Sequence, residues 1–153
     1  MNAIFTMEPE AVAIAGAESK EDILNRLSDL FARAWSLDAG CVRERLQERE
    51  ALGSTGFGRG VAIPHARLPD IERPLAALLR LRRPVAFDAA DGLPVTLVFG
   101  LLSPDNAGAA HLHALAAISR LVRNESVHDA LIDAPHADAI YGLLTNARDR
   151  DAA

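Results

Sequence analysis

The run Val95-Thr96-Leu97-Val98-Phe99-Gly100-Leu101-Leu102 limits the possible folds of this chain more than any other stretch. Pro94 leads into it, Ser103-Pro104-Asp105-Asn106 closes it, and between them almost nothing is polar. A run of this kind reads as a strand buried on both faces, and such a strand needs a layer of structure above and below it.

Helical patterns on either side supply those layers. Ser19, with Asp22 three residues on, reads as a helix start, and Ile23, Leu27, Leu30, Phe31 and Ala34 then recur at helical spacing. Asp38-Ala39-Gly40 is a break, and a second helix is predicted from about Cys41 to Glu50, its mixed charges forming a solvated face. After the central run, Leu112, Leu115, Ile118, Leu121 and Val122 mark a long amphipathic helix starting near Ala109. A short helix over Val127 to Ile132 and a last one from about Pro135 to Ala147 follow, with Arg148 to Ala153 expected to fray. Ala11 to Ala15 alternates like an edge strand. Pro74 to Leu81 reads as a strand ended by Arg82-Arg83-Pro84, Val85-Ala86-Phe87 resumes the alternation, and Asp88 to Gly92 is a turn. The expected architecture is a single layered α/β domain without linker or internal repeat.

A second stretch carries the chemistry. Arg49-Glu50-Ala51-Leu52 leads into the glycine-rich Gly53-Ser54-Thr55-Gly56-Phe57-Gly58-Arg59-Gly60, then Val61-Ala62-Ile63, then Pro64-His65-Ala66-Arg67. Glycines let backbone N–H groups turn toward an anion, hydroxyls and guanidinium groups bind phosphate oxygens, and imidazole is a nucleophile near neutral pH. His65, at a strand end beside that loop, is the candidate acceptor of a phosphoryl group. Arg49 is the candidate clamp on its oxygens, and Ser54, Thr55 and Gly56 are candidate phosphate ligands. His111 opens the long helix with Leu115, Ile118 and Val122 on its side, so it leans along the buried face and is a candidate partner for His65. Among the remaining histidines, His128 and His136 are expected to face solvent. His111 and His113 lie i and i+2 on a helix, about 200° apart, which disfavours a shared metal ion. No metal or cofactor is expected.

Composition narrows the rest. A net charge of −5 argues against nucleic acid as partner. The single cysteine, Cys41, allows no intrachain disulfide and reads as a small apolar residue. Neither a signal peptide nor an apolar run long enough to span a bilayer is evident, so a cytoplasmic protein without membrane insertion is expected. The P-loop pattern and its lysine are missing, as is a nucleophile elbow, which disfavours a nucleotide-binding protein or a serine hydrolase.

Arg49-Glu50, Gly53-Ser54-Thr55-Gly56 and Gly60-Val61-Ala62-Ile63-Pro64-His65 together resemble the IIA domains of the bacterial phosphoenolpyruvate-dependent phosphotransferase system. The resemblance is to the fructose/mannitol type and, within it, to the nitrogen-regulatory proteins. Phe87-Asp88-Ala89, Asp91 to Val95, Leu101 to Pro104 and His111-Leu112-His113 extend it over residues 17 to 146. It implies a mixed sheet flanked by helices and a phosphoryl group accepted by His65 from a histidine-containing phosphocarrier protein. It also makes His111 the second active-site histidine and places Arg49 near the site. The implied role is a phosphocarrier in nitrogen or metabolic regulation, acting on a regulatory protein target. The alternatives are a sugar-transport component passing phosphate to a IIB protein and a binding module that is never phosphorylated. Phe57, Arg59 and Ala66 depart from the usual Ile, Asn and Gly, and Ala66 raises a question about the backbone just past the histidine.

Overall fold

The computed structural model describes residues 4–152, the side chains of 148–152 excepted. A single 3-10 turn, Pro9–Ala11, precedes strand β1 (Val12–Ala15), and helices α1 (Lys20–Trp35) and α2 (Ala39–Ala51) follow. Next come three short strands, β2 (Gly56–Gly58), β3 (Val61–Ala62) and β4 (His65–Leu68), and two long ones, β5 (Leu75–Val85) and β6 (Val95–Pro104). Helices α3 (Ala109–Arg123), α4 (Glu125–Asp133) and α5 (Ala137–Ala152) complete the chain.

The strands form one mixed sheet in the order β1-β5-β6-β3-β2, with β4 also paired to β6. β6 runs antiparallel to β5 and parallel to β3 and β4, so the predicted central strand is central, and β1 is the predicted edge strand. Alternation along β6 divides the core in two. Leu97, Phe99 and Leu101 pack with Ile118, Leu131, Ile140 and Leu144 of α3–α5. Val98 and Leu102 pack with Leu27, Phe31, Val42 and Leu46 of α1 and α2. Each buried Leu or Phe contributes roughly 1.5–3 kcal/mol, which is why this strand tolerates almost nothing polar. Gly100 lies on the α1 side, where an added Cβ would sit 2.8 Å from both Leu27 Cδ2 and Phe31 Cε2.

Local signals set the helix ends. The Ser19 hydroxyl accepts from the Asp22 backbone N–H at 3.1 Å, as its spacing predicts. Ser36, left-handed at φ 55°, ends α1. Asp38 caps α2 by accepting from Gly40 N, so that helix starts two residues earlier than expected. At the other end of the chain, α5 stays helical to Ala152 instead of fraying from Arg148, while Ala153 lies outside the described residues.

Two strand expectations change. β5 does not stop at Arg82-Arg83-Pro84 but continues to Val85, because its register with β6 shifts between Arg80 and Val85. A bulge of this kind accommodates a proline that cannot donate to the ladder. The glycine-rich stretch is likewise no simple loop, since β2 and β3 pair within it as a tight antiparallel hairpin. Arg80, half-buried on β5, reaches the carbonyls of Leu131, Ile132 and Ala134 through Nη1 at 2.8, 3.0 and 2.7 Å. One guanidinium thereby satisfies the carbonyl end of α4, which lacks any basic residue in its last turn.

Candidate active site

β3 and β4 are two pieces of one course along β6, interrupted at Ile63-Pro64. Val61 and Ala62 lie opposite Leu97 and Val98; His65 to Leu68 lie opposite Leu101 to Pro104. At the interruption the Pro64 carbonyl keeps contact with β6, accepting from Leu101 N at 3.0 Å. The Ile63 carbonyl lies 2.8 Å from Nδ1 of His65. A carbonyl can only accept, so the His65 proton sits on Nδ1 and the lone pair on Nε2 is left available. Strand alternation aims the rest: Ala66 and Leu68 enter the core under α1 and α2, while His65 and Arg67 face the other way.

On that other side His111, in the first turn of α3, closes over the strand. It is buried at 7% exposure, and its ring centroid lies 5.6 Å from that of His65. Its Nδ1 is 2.6 Å from the hydroxyl of Ser103, itself fully buried on β6. Burial, then the positive charge of Arg67 and the neighbouring His65, pull the His111 pKa down to about 4. Burial also lowers that of His65; the Ile63 carbonyl opposes this, Arg49 reinforces it, and Glu50 opposes it. Both rings are therefore neutral at neutral pH.

The two histidines open into a cleft of about 310 Å³ lined also by Arg45, Arg49 and Arg67, with Glu48 as its carboxylate and Leu52 at its rim. In a chain of net charge −5, three guanidinium groups at one cleft make a local reversal of sign suited to an anion. Arg49 is held there by donating to the Gly53 carbonyl at 2.9 Å. Arg45 is held by the Arg67 carbonyl at 3.2 Å and by Asp105 at 3.3 Å.

His65, His111 and Arg49 thus come together. The loop residues are engaged differently. The Ser54 hydroxyl donates to the Phe87 carbonyl and accepts from Gly56 N. The Thr55 hydroxyl and backbone N–H both donate to the Glu50 carboxylate. Gly56 is needed for close packing, since a Cβ there would lie 2.7 Å from Ala89 Cα. Glu50, expected on a solvated face, is buried instead and pairs with Lys20 at 2.8 Å. Lys20, the chain's only lysine, also lies over the Phe87 ring, 4.7 Å from its centroid.

Several residues at or beside the cleft are not among those predicted from the sequence. Arg67 carried a usable signal, because i+2 from His65 on a strand is the same face. Arg45 carried none, as its partners Arg67 and Asp105 lie 22 and 60 residues on; Ser103, eight residues before His111, reads only as part of the segment that closes the central strand. Elsewhere His113 and His136 are exposed and His128 is half-buried, beside Asp129 at 3.6 Å. No group of three or more His, Cys, Asp or Glu converges among the described residues. Arg59 has φ 60°, a left-handed conformation that asparagine adopts at lower cost, and its N–H is held by Asp91 at 2.8 Å. Ala66 has no positive φ and lies within β4, so the missing glycine leaves the strand intact.

No helix among the described residues is long and apolar enough to cross a membrane. The family described as "Phosphoenolpyruvate-dependent sugar phosphotransferase system, EIIA 2" matches residues 6–147. A nitrogen regulatory protein of Pseudomonas aeruginosa is 42% identical over 146 residues, covering 95% of this chain and 94% of its own length. One from Bradyrhizobium diazoefficiens is 44% identical over 137 residues, covering 89% and 90%. Among solved structures, the nitrogen regulatory protein IIA-Ntr of Neisseria meningitidis superposes with a TM-score of 0.81 at 36% identity, covering 90% of this chain and 95% of that one. With a matching sequence and fold, the chain belongs to the EIIA 2 family of the phosphoenolpyruvate-dependent phosphotransferase system, within its nitrogen-regulatory branch.

Proposed function

We propose that His65 is the phosphoryl acceptor of this phosphotransferase protein and takes the group from the phosphohistidine of a small histidine-containing phosphocarrier protein. The observation that carries this reading is the Nδ1–H bond to the Ile63 carbonyl, which leaves the Nε2 lone pair in a cleft lined by guanidinium groups. In the transfer, Nε2 forms a bond to phosphorus as the donor's N–P bond breaks, and the donor imidazole departs with the bonding pair. Arg49 and Arg67 hold the equatorial oxygens. The acceptor ring keeps its Nδ1 proton and becomes formally cationic, a charge that the Ile63 carbonyl dipole stabilises. That cationic ring is a good leaving group, so the phosphoryl group remains transferable.

In this scheme Ser54 and Thr55 hold the loop behind the cleft, because their hydroxyls already bond Phe87 and Glu50. The phosphorylated and free forms differ by a dianion in one cleft, which suffices to change which protein docks there. The partner downstream is a regulatory protein target, and the setting is the cytoplasm.

Intact-mass spectrometry after incubation with phosphoenolpyruvate, enzyme I and the phosphocarrier protein tests the acceptor, with His65→Ala alongside. One acid-labile phosphate adduct, lost in the variant, is the expected result. An adduct that survives in His65→Ala would overturn the assignment, and no adduct from cognate donors would leave a binding module.

A further inference from the structure

Ser103 is fully buried, and its hydroxyl has one hydrogen-bond partner among the described residues, Nδ1 of His111 at 2.6 Å. A hydroxyl carries one proton and neutral imidazole carries one, so two arrangements are available. If the His111 proton lies on Nδ1, it donates to Ser103 Oγ and strands the serine proton where water does not reach, at the desolvation cost of an unpaired buried donor. If Ser103 donates to Nδ1, both groups are satisfied and the imidazole proton lies on Nε2. The second arrangement strands nothing.

We propose that Ser103 is a positioning residue that fixes His111 as its Nε2–H tautomer, the opposite of the Nδ1–H tautomer that the Ile63 carbonyl fixes in His65. Two residues of the same type, 5.6 Å apart between ring centroids, thereby present opposite faces to the cleft. His65 offers an electron pair to phosphorus. His111 offers an N–H to a phosphoryl oxygen, and does so without charge. The backbone places both: His65 lies opposite Leu101, and Ser103 lies opposite Arg67, two residues further along the same pair of strands. This register brings the nucleophile and the serine that orients its neighbour to the same face of the sheet. The Nε2–H role of His111 rests on the phosphocarrier reading, whereas the tautomers themselves do not.

Long-range 1H–15N NMR of the imidazole nitrogens tests the tautomers directly, in wild type, Ser103→Ala and Ser103→Thr near neutral pH. Wild type is expected to show His111 protonated on Nε2 and His65 on Nδ1. In Ser103→Ala, His111 shifts toward a mixture of tautomers, and Ser103→Thr, which keeps the hydroxyl, restores the wild-type pattern. Phosphoryl acceptance by Ser103→Ala is expected to slow by about tenfold, equivalent to one hydrogen bond, while His65 keeps its own tautomer. A wild-type His111 that is protonated on Nδ1 overturns the proposal without any variant. So does a Ser103→Ala protein whose His111 tautomer or acceptance rate equals that of wild type. Failure of wild type to accept phosphate while its tautomers are as stated would instead sink the phosphocarrier reading alone.

Discussion

Replacing Glu50 by alanine tests the support beneath the cleft. Its carboxylate takes the Lys20 ammonium at 2.8 Å and the Thr55 N–H at 3.2 and 3.3 Å, and also receives the Thr55 hydroxyl. Removing one partner of a buried ion pair costs about 3–5 kcal/mol, because the other charge is left behind. Lys20 side-chain exposure of 23% lets water recover part of that, and Asp88 at 3.9 Å offers a weaker partner. The two Thr55 donors have no such relief, since Thr55 is buried. A net loss of about 3 kcal/mol follows, or a drop in Tm of roughly 6–12 °C for a domain of this size. Thermal and urea unfolding followed by circular dichroism would measure it, with exposed Glu44→Ala as the control. Glu50→Gln keeps an acceptor for Thr55 but no charge for Lys20, and should fall between the two. If Glu50→Ala loses no more than Glu44→Ala, the buried network contributes nothing and the reasoning fails.

Other consequences are quicker to state. Arg49→Ala should slow phosphoryl acceptance by about 10²–10³-fold, the scale of one lost charge-stabilising donor, and leave the unfolding midpoint nearly unchanged; equal rates for variant and wild type would remove its clamp role. His111 has a folded pKa of about 4 against 6.5 unfolded, so the unfolded chain binds the extra proton first. Its stabilising contribution is then complete above 6.5 and lost as pH falls toward 4. Urea midpoints of His111→Gln should decline less with acidification than those of wild type, and parallel declines would count against a buried neutral ring. Gly100→Ala should cost about 1–3 kcal/mol by overpacking, because both side chains it meets, Leu27 and Phe31, are fully buried; an unchanged Tm would show that they yield freely.

Legibility in the sequence followed element length and the distance between partners. β6 and the helices repeat their pattern long enough to be read, whereas β2 and β3 hold three and two residues and have no period to detect. β5 reads short in the sequence because Arg82-Arg83-Pro84 looks like a stop, and the bulge that carries the strand through it leaves no local mark. That His65, Arg49 and His111 meet at one cleft is legible, because each sits in a motif with its own chemical logic. Glu50 was not: a carboxylate in a charged helix is usually solvated, and only the fold brings Lys20, thirty positions earlier in the sequence, to cover it.

Arg80 also bears on how the protein opens. By gripping three carbonyls at the end of α4, it ties the break between α4 and α5 to the middle of β5. Amide exchange in α4 should then follow the slow opening of the sheet instead of the fast fraying usual for a nine-residue helix. The last third of the chain would come apart from the sheet in one step, with that arginine as the catch.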